Sequence, residues 1–76
     1  MTRLPVITGA EAIRALERAG LVVVRISGSH HRLVHPADPA RATTVPVHGR
    51  KPLKSGTLRG IIKQAGLTVD EFSNLL

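Results

Sequence analysis

The chain contains no cysteine, no tryptophan and no tyrosine, and Phe72 is its single phenylalanine. The lack of cysteine excludes disulfides and disfavours a structural zinc site, which agrees with a reducing compartment. Because the chain has a single aromatic side chain, recognition of RNA by stacking bases on aromatic rings is disfavoured, and contacts to phosphate and sugar are the expected mode. No apolar run approaches the roughly 20 residues of a membrane span, and the N-terminus lacks the apolar core of a signal peptide. These absences predict a cytoplasmic protein without a membrane partner.

The length leaves room for one domain, residues 1–76, and the chain has no linker long enough to divide it. A chain this short buries only about 60% of the surface that its unfolded form exposes. We therefore expect marginal stability, to which a bound partner would add.

The formal net charge of +6 is concentrated in the middle of the chain. From residue 25 to residue 63 there are eight cations and one anion, Asp38, while the remainder is close to neutral. A central segment of one sign favours an anionic partner such as nucleic acid, an acidic protein or anionic lipid. The alternative is a set of solvated surface side chains. The eight cations are Arg25, Arg32, Arg41, Arg50, Lys51, Lys54, Arg59 and Lys63.

Three segments combine a helix start signal with apolar residues at helical spacing. Two begin with the S/T-x-x-E spacing of a capping box, and two end at glycine. The predicted helices are residues 9–19, with the box Thr8/Glu11 and the stop Gly20; a helix between the cap Ser55 and the stop Gly66, with Leu58, Ile61, Ile62 and Ala65 on one face; and residues 69–75, with the box Thr68/Glu71.

Residues 21–26 are rich in β-branched side chains and predict a first strand. Positions 22, 24 and 26 are all apolar, so one face of this strand is expected to be fully apolar. The turn Ser27-Gly28-Ser29 then reverses the chain. A second strand, from about His30 to His35, would place His30 and Arg32 on one face.

Residues 36–40 form a loop by composition, and Thr43–His48 is predicted to be the third strand. Pro46 cannot donate to a ladder, which makes this strand an edge, as the last strand of a meander is. The resulting order is α-β-β-β-α with a short C-terminal helix, an α+β fold. The three-stranded antiparallel sheet and the helices can bury their apolar surfaces only on each other, so we expect helices on one sheet face and an open opposite face.

Short motifs in a fixed order and spacing run through nearly the whole chain. Together they resemble the HicA (YcfA-like) family of toxin ribonucleases from bacterial type II toxin-antitoxin pairs, whose fold is similar to a double-stranded RNA-binding domain. The motifs are Ala19-Gly20, Val24-Arg25, Gly28-Ser29-His30, His35-Pro36, Val45-Pro46-Val47-His48, Leu53-Lys54-Ser55-Gly56-Thr57-Leu58-Arg59 and Ile62-Lys63-Gln64-Ala65-Gly66-Leu67.

The resemblance implies an mRNA interferase that cleaves transcripts and halts translation, with a catalytic histidine at the position of His30. It also implies a HicB-type antitoxin that blocks the site, and hence a hetero-oligomer; alone, the chain is expected to be monomeric or weakly dimeric. Leu21 and Leu33 stand where many members carry an aromatic residue, a departure that concerns packing. No cofactor is expected.

The segment Gly28-Ser29-His30-His31 lies between two predicted strands in basic surroundings. Cleavage of RNA needs no protein nucleophile, because the ribose 2′-hydroxyl attacks the neighbouring phosphorus once a base removes its proton. Histidine exchanges a proton near neutral pH and suits that step. The sequence near this turn has no aspartate or glutamate, so it supplies neither a carboxylate base nor a divalent-metal site. We therefore predict metal-independent transesterification, and the resemblance implies that His30 is the catalytic residue.

Six residues are candidates for contact with RNA phosphate, and for Arg50, Lys51 and Lys54 contact with the antitoxin is the alternative. Gly28 permits a tight turn and Ser29 offers a hydroxyl, although a plain hairpin connection is the alternative for both. Lys54 precedes a helix whose positive N-terminal end adds to an anion site, and Arg32 is placed to stabilise transition-state charge. The six are Gly28, Ser29, Arg32, Arg50, Lys51 and Lys54.

The other histidines have plainer explanations. His31 shares its predicted face with Leu33 and is expected to be a partly buried packing residue, while His35 and His48 are expected in turns. Their spacing gives no clear three-ligand zinc cluster.

Two further functions remain open at this point. A double-stranded RNA-binding module would hold RNA without cutting it, and a basic interaction protein would bind only another protein.

Overall fold

The chain folds as a three-stranded antiparallel meander with helices packed on one side. The structure is a computed structural model that describes residues 3–76. The elements are α1 (Gly9–Arg18), β1 (Val22–Ser27), β2 (His30–His35), β3 (Asp38–Pro46), α2 (Ser55–Gln64) and α3 (Val69–Ser73). The strand order is β1-β2-β3, which confirms the predicted α+β fold and meander. Within residues 3–76, every helix is too short or too polar to cross a membrane.

The core lies between one face of the sheet and the helices. Leu33 of β2 and Val45 of β3 are fully buried, and they pack in one cluster with Leu16 of α1 and Leu58 of α2. Phe72 of α3 is also fully buried, so the short C-terminal helix completes the core. All four apolar positions predicted for one face of α2 are buried, which confirms that prediction. Among residues 3–76, no helix packs on the other face of the sheet, which stays open.

Both predicted capping boxes are present. The Thr8 hydroxyl accepts a hydrogen bond from the Glu11 backbone N–H at 3.2 Å, and the Glu11 carboxylate accepts one from the Thr8 N–H at 2.9 Å. Thr68 and Glu71 repeat the arrangement at the start of α3, with distances of 3.1 and 2.8 Å. Each box satisfies backbone N–H groups that a helix start leaves without a partner.

Strand β1 contains an irregularity that sequence alternation does not predict. Val24 is an extra residue, because Val23 and Arg25 pair with neighbouring residues of β2 and leave it without a partner, as in a β-bulge. The bulge puts Val22 and Ile26 on opposite faces, because they pair with Val34 and His31, so the expectation of one fully apolar face at positions 22, 24 and 26 is wrong. The exposed fractions are 49% for Val22, 58% for Val24 and 61% for Ile26.

Strand β3 starts earlier than the predicted Thr43 and ends at Pro46, so the predicted end at His48 is wrong. The segment predicted as a loop reduces to a two-residue turn, because His35 pairs with Asp38. The Ala37 N–H donates to Nδ1 of His35 at 3.1 Å and holds this turn. Pro39 lies inside β3, where an edge strand tolerates a residue that has no N–H group.

Two side chains of β3 fix the C-terminal end of α2. The Thr43 hydroxyl donates to Oε1 of Gln64 at 2.8 Å, and Nε of Arg41 donates to the Ala65 carbonyl at 2.8 Å. Both bonds are partly buried. They anchor the C-terminal end of the helix. At its other end, the first turn of α2 lies beside Pro46 at the end of β3.

Candidate functional site

A two-residue turn places His30 at the start of β2. Ser27 pairs with His30, so Gly28 and Ser29 form the whole connection. Gly28 has a φ of +58°, while Ser29, like all described non-glycine residues, has a negative φ. This is the pattern of a type II′ hairpin turn, which takes glycine at its first position. Apart from the two chain neighbours of Gly28, no atom of residues 3–76 lies within 4 Å of the place where its Cβ would stand, so the turn is open to a ligand.

His30 is exposed on the open face of the sheet, directly opposite Pro46. The ladder continues one step further, because the Val47 N–H donates to the Ser29 carbonyl at 2.7 Å. Hydrogen-bonded and non-hydrogen-bonded pairs alternate in an antiparallel ladder, so His30 and Pro46 form a non-hydrogen-bonded pair with Cα atoms about 4.5 Å apart. The nitrogen of Pro46 therefore faces the free edge, which explains why proline is tolerated there.

Arg32 lies two residues after His30 and shares its sheet face, as predicted. Its Nη1 donates to the hydroxyl of its β3 partner, Thr44, at 3.3 Å. This contact holds the guanidinium along the sheet surface.

Arg25 is a candidate site residue that the sequence analysis does not single out. It pairs directly with Arg32 from β1. Uninterrupted alternation would put Arg25 and Val23 on one face; the bulge at Val24 instead lets Val23 pack against the core while Arg25 joins the open face. The sequence feature that could have identified Arg25 is its position three residues before Gly28.

A cleft of about 340 Å³ lies beside the end of β3. Its polar lining consists of two lysines, one histidine and one threonine, and residues 3–76 contribute no acidic side chain to it. Pro46 forms part of its wall, so the cleft adjoins the position opposite His30. The lining residues are Pro46, His48, Lys51, Pro52, Leu53, Lys54 and Thr57.

Backbone contacts fix the segment that forms the cleft. The Leu53 N–H donates to the Ile7 carbonyl at 2.8 Å, and Thr8 forms an isolated β-bridge with Pro52. Within the segment, the Lys51 N–H donates to the His48 carbonyl at 3.1 Å and closes a turn. The lysines of the cleft therefore project from a backbone that the N-terminal segment holds in place.

The start of α1 packs tightly against the end of β3. A Cβ on Gly9 would overlap the carbonyl of Pro46, so only glycine fits at this helix start. The position of Pro46, and with it the cleft wall next to His30, depends on this close contact.

The N-terminus of α2 opens toward the cleft, but its cap differs from the prediction. The N-cap residue is Lys54, whose side chain makes no capping hydrogen bond, and Ser55 is the first helical residue. Lys54 is extended, with φ −65° and ψ 145°, and its carbonyl already accepts the first helical bond from Leu58. The first turn therefore has no side-chain cap, and its N–H groups add positive potential near Lys54 and Thr57.

The structure divides the predicted phosphate-contacting residues into two adjacent groups. Gly28, Ser29 and Arg32 lie with His30 at the hairpin and on the open face. Lys51 and Lys54 line the cleft, and Arg50 is exposed in the turn beside it. The ladder between the hairpin and the end of β3 connects the groups. Their roles in binding stay predictions.

The remaining histidines differ from one another in their surroundings. His31 is partly buried opposite Val45, as predicted, and its Nδ1 is buried without a hydrogen-bond partner among residues 3–76. His35 bonds to its own turn, as predicted. His48 starts a turn just past the end of β3, which confirms the predicted turn, and it also lines the cleft. Residues 3–76 contain no group of three or more histidine or acidic side chains placed to hold a metal ion.

These features define a small α+β protein with a basic, histidine-containing site at one end of an open sheet. A family model described as "HicA toxin of bacterial toxin-antitoxin" matches residues 9–67, and the chain belongs to this family of toxins. The matched range includes every candidate site residue. A search of curated proteins gives no significant match. Membership implies an antitoxin as partner.

Proposed function

We propose that this chain is an endoribonuclease toxin that cleaves mRNA and so blocks translation, with His30 as its catalytic residue. The position of His30 carries the proposal: it is exposed on the open face, between the Arg25–Arg32 pair and a lysine-lined cleft. A polyanion that lies across this end of the sheet would meet cations on both sides of one imidazole. The family supports the same activity, since HicA toxins are generally of the ribonuclease type.

The chemistry is transesterification within the RNA. His30 removes the proton of a ribose 2′-hydroxyl, the 2′-oxygen attacks the neighbouring phosphorus, and the bond to the 5′-oxygen breaks. Arg32 stabilises the charge that develops on the phosphoryl oxygens.

The surroundings of His30 favour a reaction that needs no metal ion. Arginine, lysine and hydroxyl side chains are poor ligands for divalent cations, which prefer carboxylates. Asp38 pairs with His35 at the opposite end of β2 from His30. A donor set of this kind leaves His30 itself as the base.

The antitoxin is proposed to be a HicB-type protein that covers the same surface. A site with this excess of positive charge favours an acidic or mixed partner segment placed where RNA would otherwise lie. The neutralising contact would then exclude RNA from His30.

Incubation of the purified chain with RNA in EDTA tests the enzymatic function. We expect strand scission by the wild type, none by His30→Ala, and scission by a control, His35→Ala, whose side chain lies at the other end of β2. Scission by His30→Ala would contradict the proposed catalytic role. RNA that is bound but left intact by the wild type would favour a double-stranded RNA-binding module.

Expression of the chain alone in a bacterial host tests the toxic function. We expect growth arrest with loss of full-length mRNA, and neither effect from His30→Ala. Arrest with unchanged transcripts would contradict the ribonuclease. Normal growth would favour a protein whose only partner is another protein.

A further inference from the structure

We propose that His48 is the second proton-transfer residue of the site, the acid that protonates the leaving 5′-oxygen while His30 acts as the base. The inference rests on the proposed ribonuclease function and adds a residue to it. Cleavage of a phosphodiester needs a proton removed on one side of the phosphorus and a proton supplied on the other. If His30 removes the first proton, a second group must supply the proton to the leaving oxygen.

The strand ladder brings His48 near His30. His30 stands opposite Pro46, and the bond from Val47 to Ser29 extends the pairing by one residue. His48 follows one residue later, just past the end of β3, and it lines the same cleft as Pro46. A regular continuation of the pairing would make the two residues diagonal neighbours about 7–8 Å apart, a gap in which a phosphate fits between two imidazoles.

The surroundings of His48 suit contact with a phosphate. It is exposed, and it lines the same cleft as Lys51 and Lys54. Cations on one wall would hold the phosphate while the imidazole meets the leaving oxygen. Pro46, the residue opposite His30, lines the same cleft.

The fold makes no visible use of the His48 side chain. The turn that follows it is closed by its backbone carbonyl, which accepts from Lys51 at 3.1 Å. Among residues 3–76, no hydrogen bond involves its imidazole. Truncation of the ring therefore leaves the turn intact.

The step balances with these two residues alone. His30 takes the 2′-hydroxyl proton, a bond forms between the 2′-oxygen and phosphorus, and the bond from phosphorus to the 5′-oxygen breaks. Protonated His48 gives its proton to that oxygen. The products are a 2′,3′-cyclic phosphate and a 5′-hydroxyl, with no oxidation, no water consumed and no covalent enzyme intermediate. Exchange with water returns both imidazoles to their starting states.

A modified substrate isolates the acid. The cleaved bond is first mapped with the wild type, and an oligoribonucleotide is then made with sulfur in place of the 5′-oxygen at that bond. A thiolate leaves without protonation far more readily than an alkoxide, because thiols are much stronger acids than alcohols. On ordinary RNA, we expect His48→Ala to slow cleavage by roughly 10²-fold or more. On the sulfur substrate, we expect the rate of His48→Ala to approach that of the wild type.

Matched variants separate acid catalysis from positioning. His30→Ala should stay inactive on both substrates, because its task is at the 2′-hydroxyl. His48→Gln keeps a polar side chain of similar size and should show the same substrate-dependent deficit as His48→Ala. The melting temperatures of both His48 variants should match that of the wild type.

Three results would overturn the inference. Wild-type rates for His48→Ala on ordinary RNA would remove His48 from the reaction while leaving the ribonuclease in place. An equal deficit on both substrates would make His48 a residue that binds RNA or positions the site. A wild type that does not cleave ordinary RNA would overturn the proposed function and this inference together.

Discussion

Arg25 of β1 and Arg32 of β2 stand directly opposite each other on the open face of the sheet. Like charges at directly opposed positions destabilise a strand pair, by up to about 1 kcal/mol. A bound anion would turn the repulsion into a favourable contact on both sides. The pair therefore indicates a surface organised for a ligand rather than for the stability of the free protein.

We predict that Arg25→Gln raises the melting temperature slightly and weakens RNA binding. The first effect follows from relief of the repulsion, and the second from the loss of one contact to phosphate. Thermal melts and RNA titrations at low salt measure them. Arg14→Gln on α1 removes the same charge away from the open face and should leave RNA affinity close to that of the wild type. Equal affinities for the wild type and Arg25→Gln would remove Arg25 from the site.

Periodicity and capping signals made most of the fold predictable from sequence. The Thr8/Glu11 and Thr68/Glu71 boxes located two helix starts, and the apolar spacing from Leu58 to Ala65 identified the buried face of α2. These signals are local, because helix geometry alone decides which residues share a face.

The features that sequence reasoning missed depend on contacts between strands. The bulge at Val24 is visible only in the register with β2, and the early start of β3 depends on the pairing of His35 with Asp38. The cleft is likewise a product of packing, since it forms where the N-terminal segment pairs with Pro52. Alternation placed His30 and Arg32 on one face, but it gave no reason to join His48 to them.

We predict that the double variant Lys51→Ala, Lys54→Ala binds single-stranded RNA with a weaker salt dependence. Each neutralised phosphate contributes about −0.7 to the log-log slope, so the loss of two contacts should flatten it by up to about 1.4. RNA titrations across a salt series measure the slope.

The double variant Arg14→Ala, Lys63→Ala has the same net charge and serves as the control. Its slope should stay at the wild-type value. An unaltered slope in the Lys51 and Lys54 variant would assign those lysines to the antitoxin contact or to solvent.

We predict opposite effects on stability for two glycine substitutions. Gly9→Ala places a Cβ against the Pro46 carbonyl and should lower the free energy of unfolding by about 1–3 kcal/mol. Gly60→Ala, in open space within α2, should raise it by up to about 1 kcal/mol. Denaturant melts of both variants give the values. A neutral Gly9→Ala would contradict the tight junction between α1 and β3.

We predict a loss of stability in acid that depends on the two capping boxes. Hydrogen bonds from the Thr8 backbone and side chain lower the pKa of Glu11 from its ordinary 4.5, and those from Thr68 do the same for Glu71. A lowered pKa in the folded state adds stability above pH 4.5 that is lost as the pH falls through the folded-state value. Glutamine keeps the box but does not titrate.

Thermal melts between pH 7 and pH 3 therefore compare the wild type with the double variant Glu11→Gln, Glu71→Gln. The variant should lose less stability across this range. Parallel curves for the two proteins would show that the boxes contribute nothing to acid unfolding.

The last prediction separates the two adjacent histidines, which point to opposite faces of β2. His30 is exposed on the face of Arg32, while His31 is partly buried opposite Val45. We expect His30→Ala to abolish RNA cleavage and toxicity with little change in melting temperature or antitoxin binding. We expect His31→Ala to lower the free energy of unfolding by about 1–2 kcal/mol while it retains measurable cleavage, because it removes packing next to the core. Cleavage assays and thermal melts on both variants measure this contrast; an active His30→Ala beside a well-folded but inactive His31→Ala would reverse the two assignments.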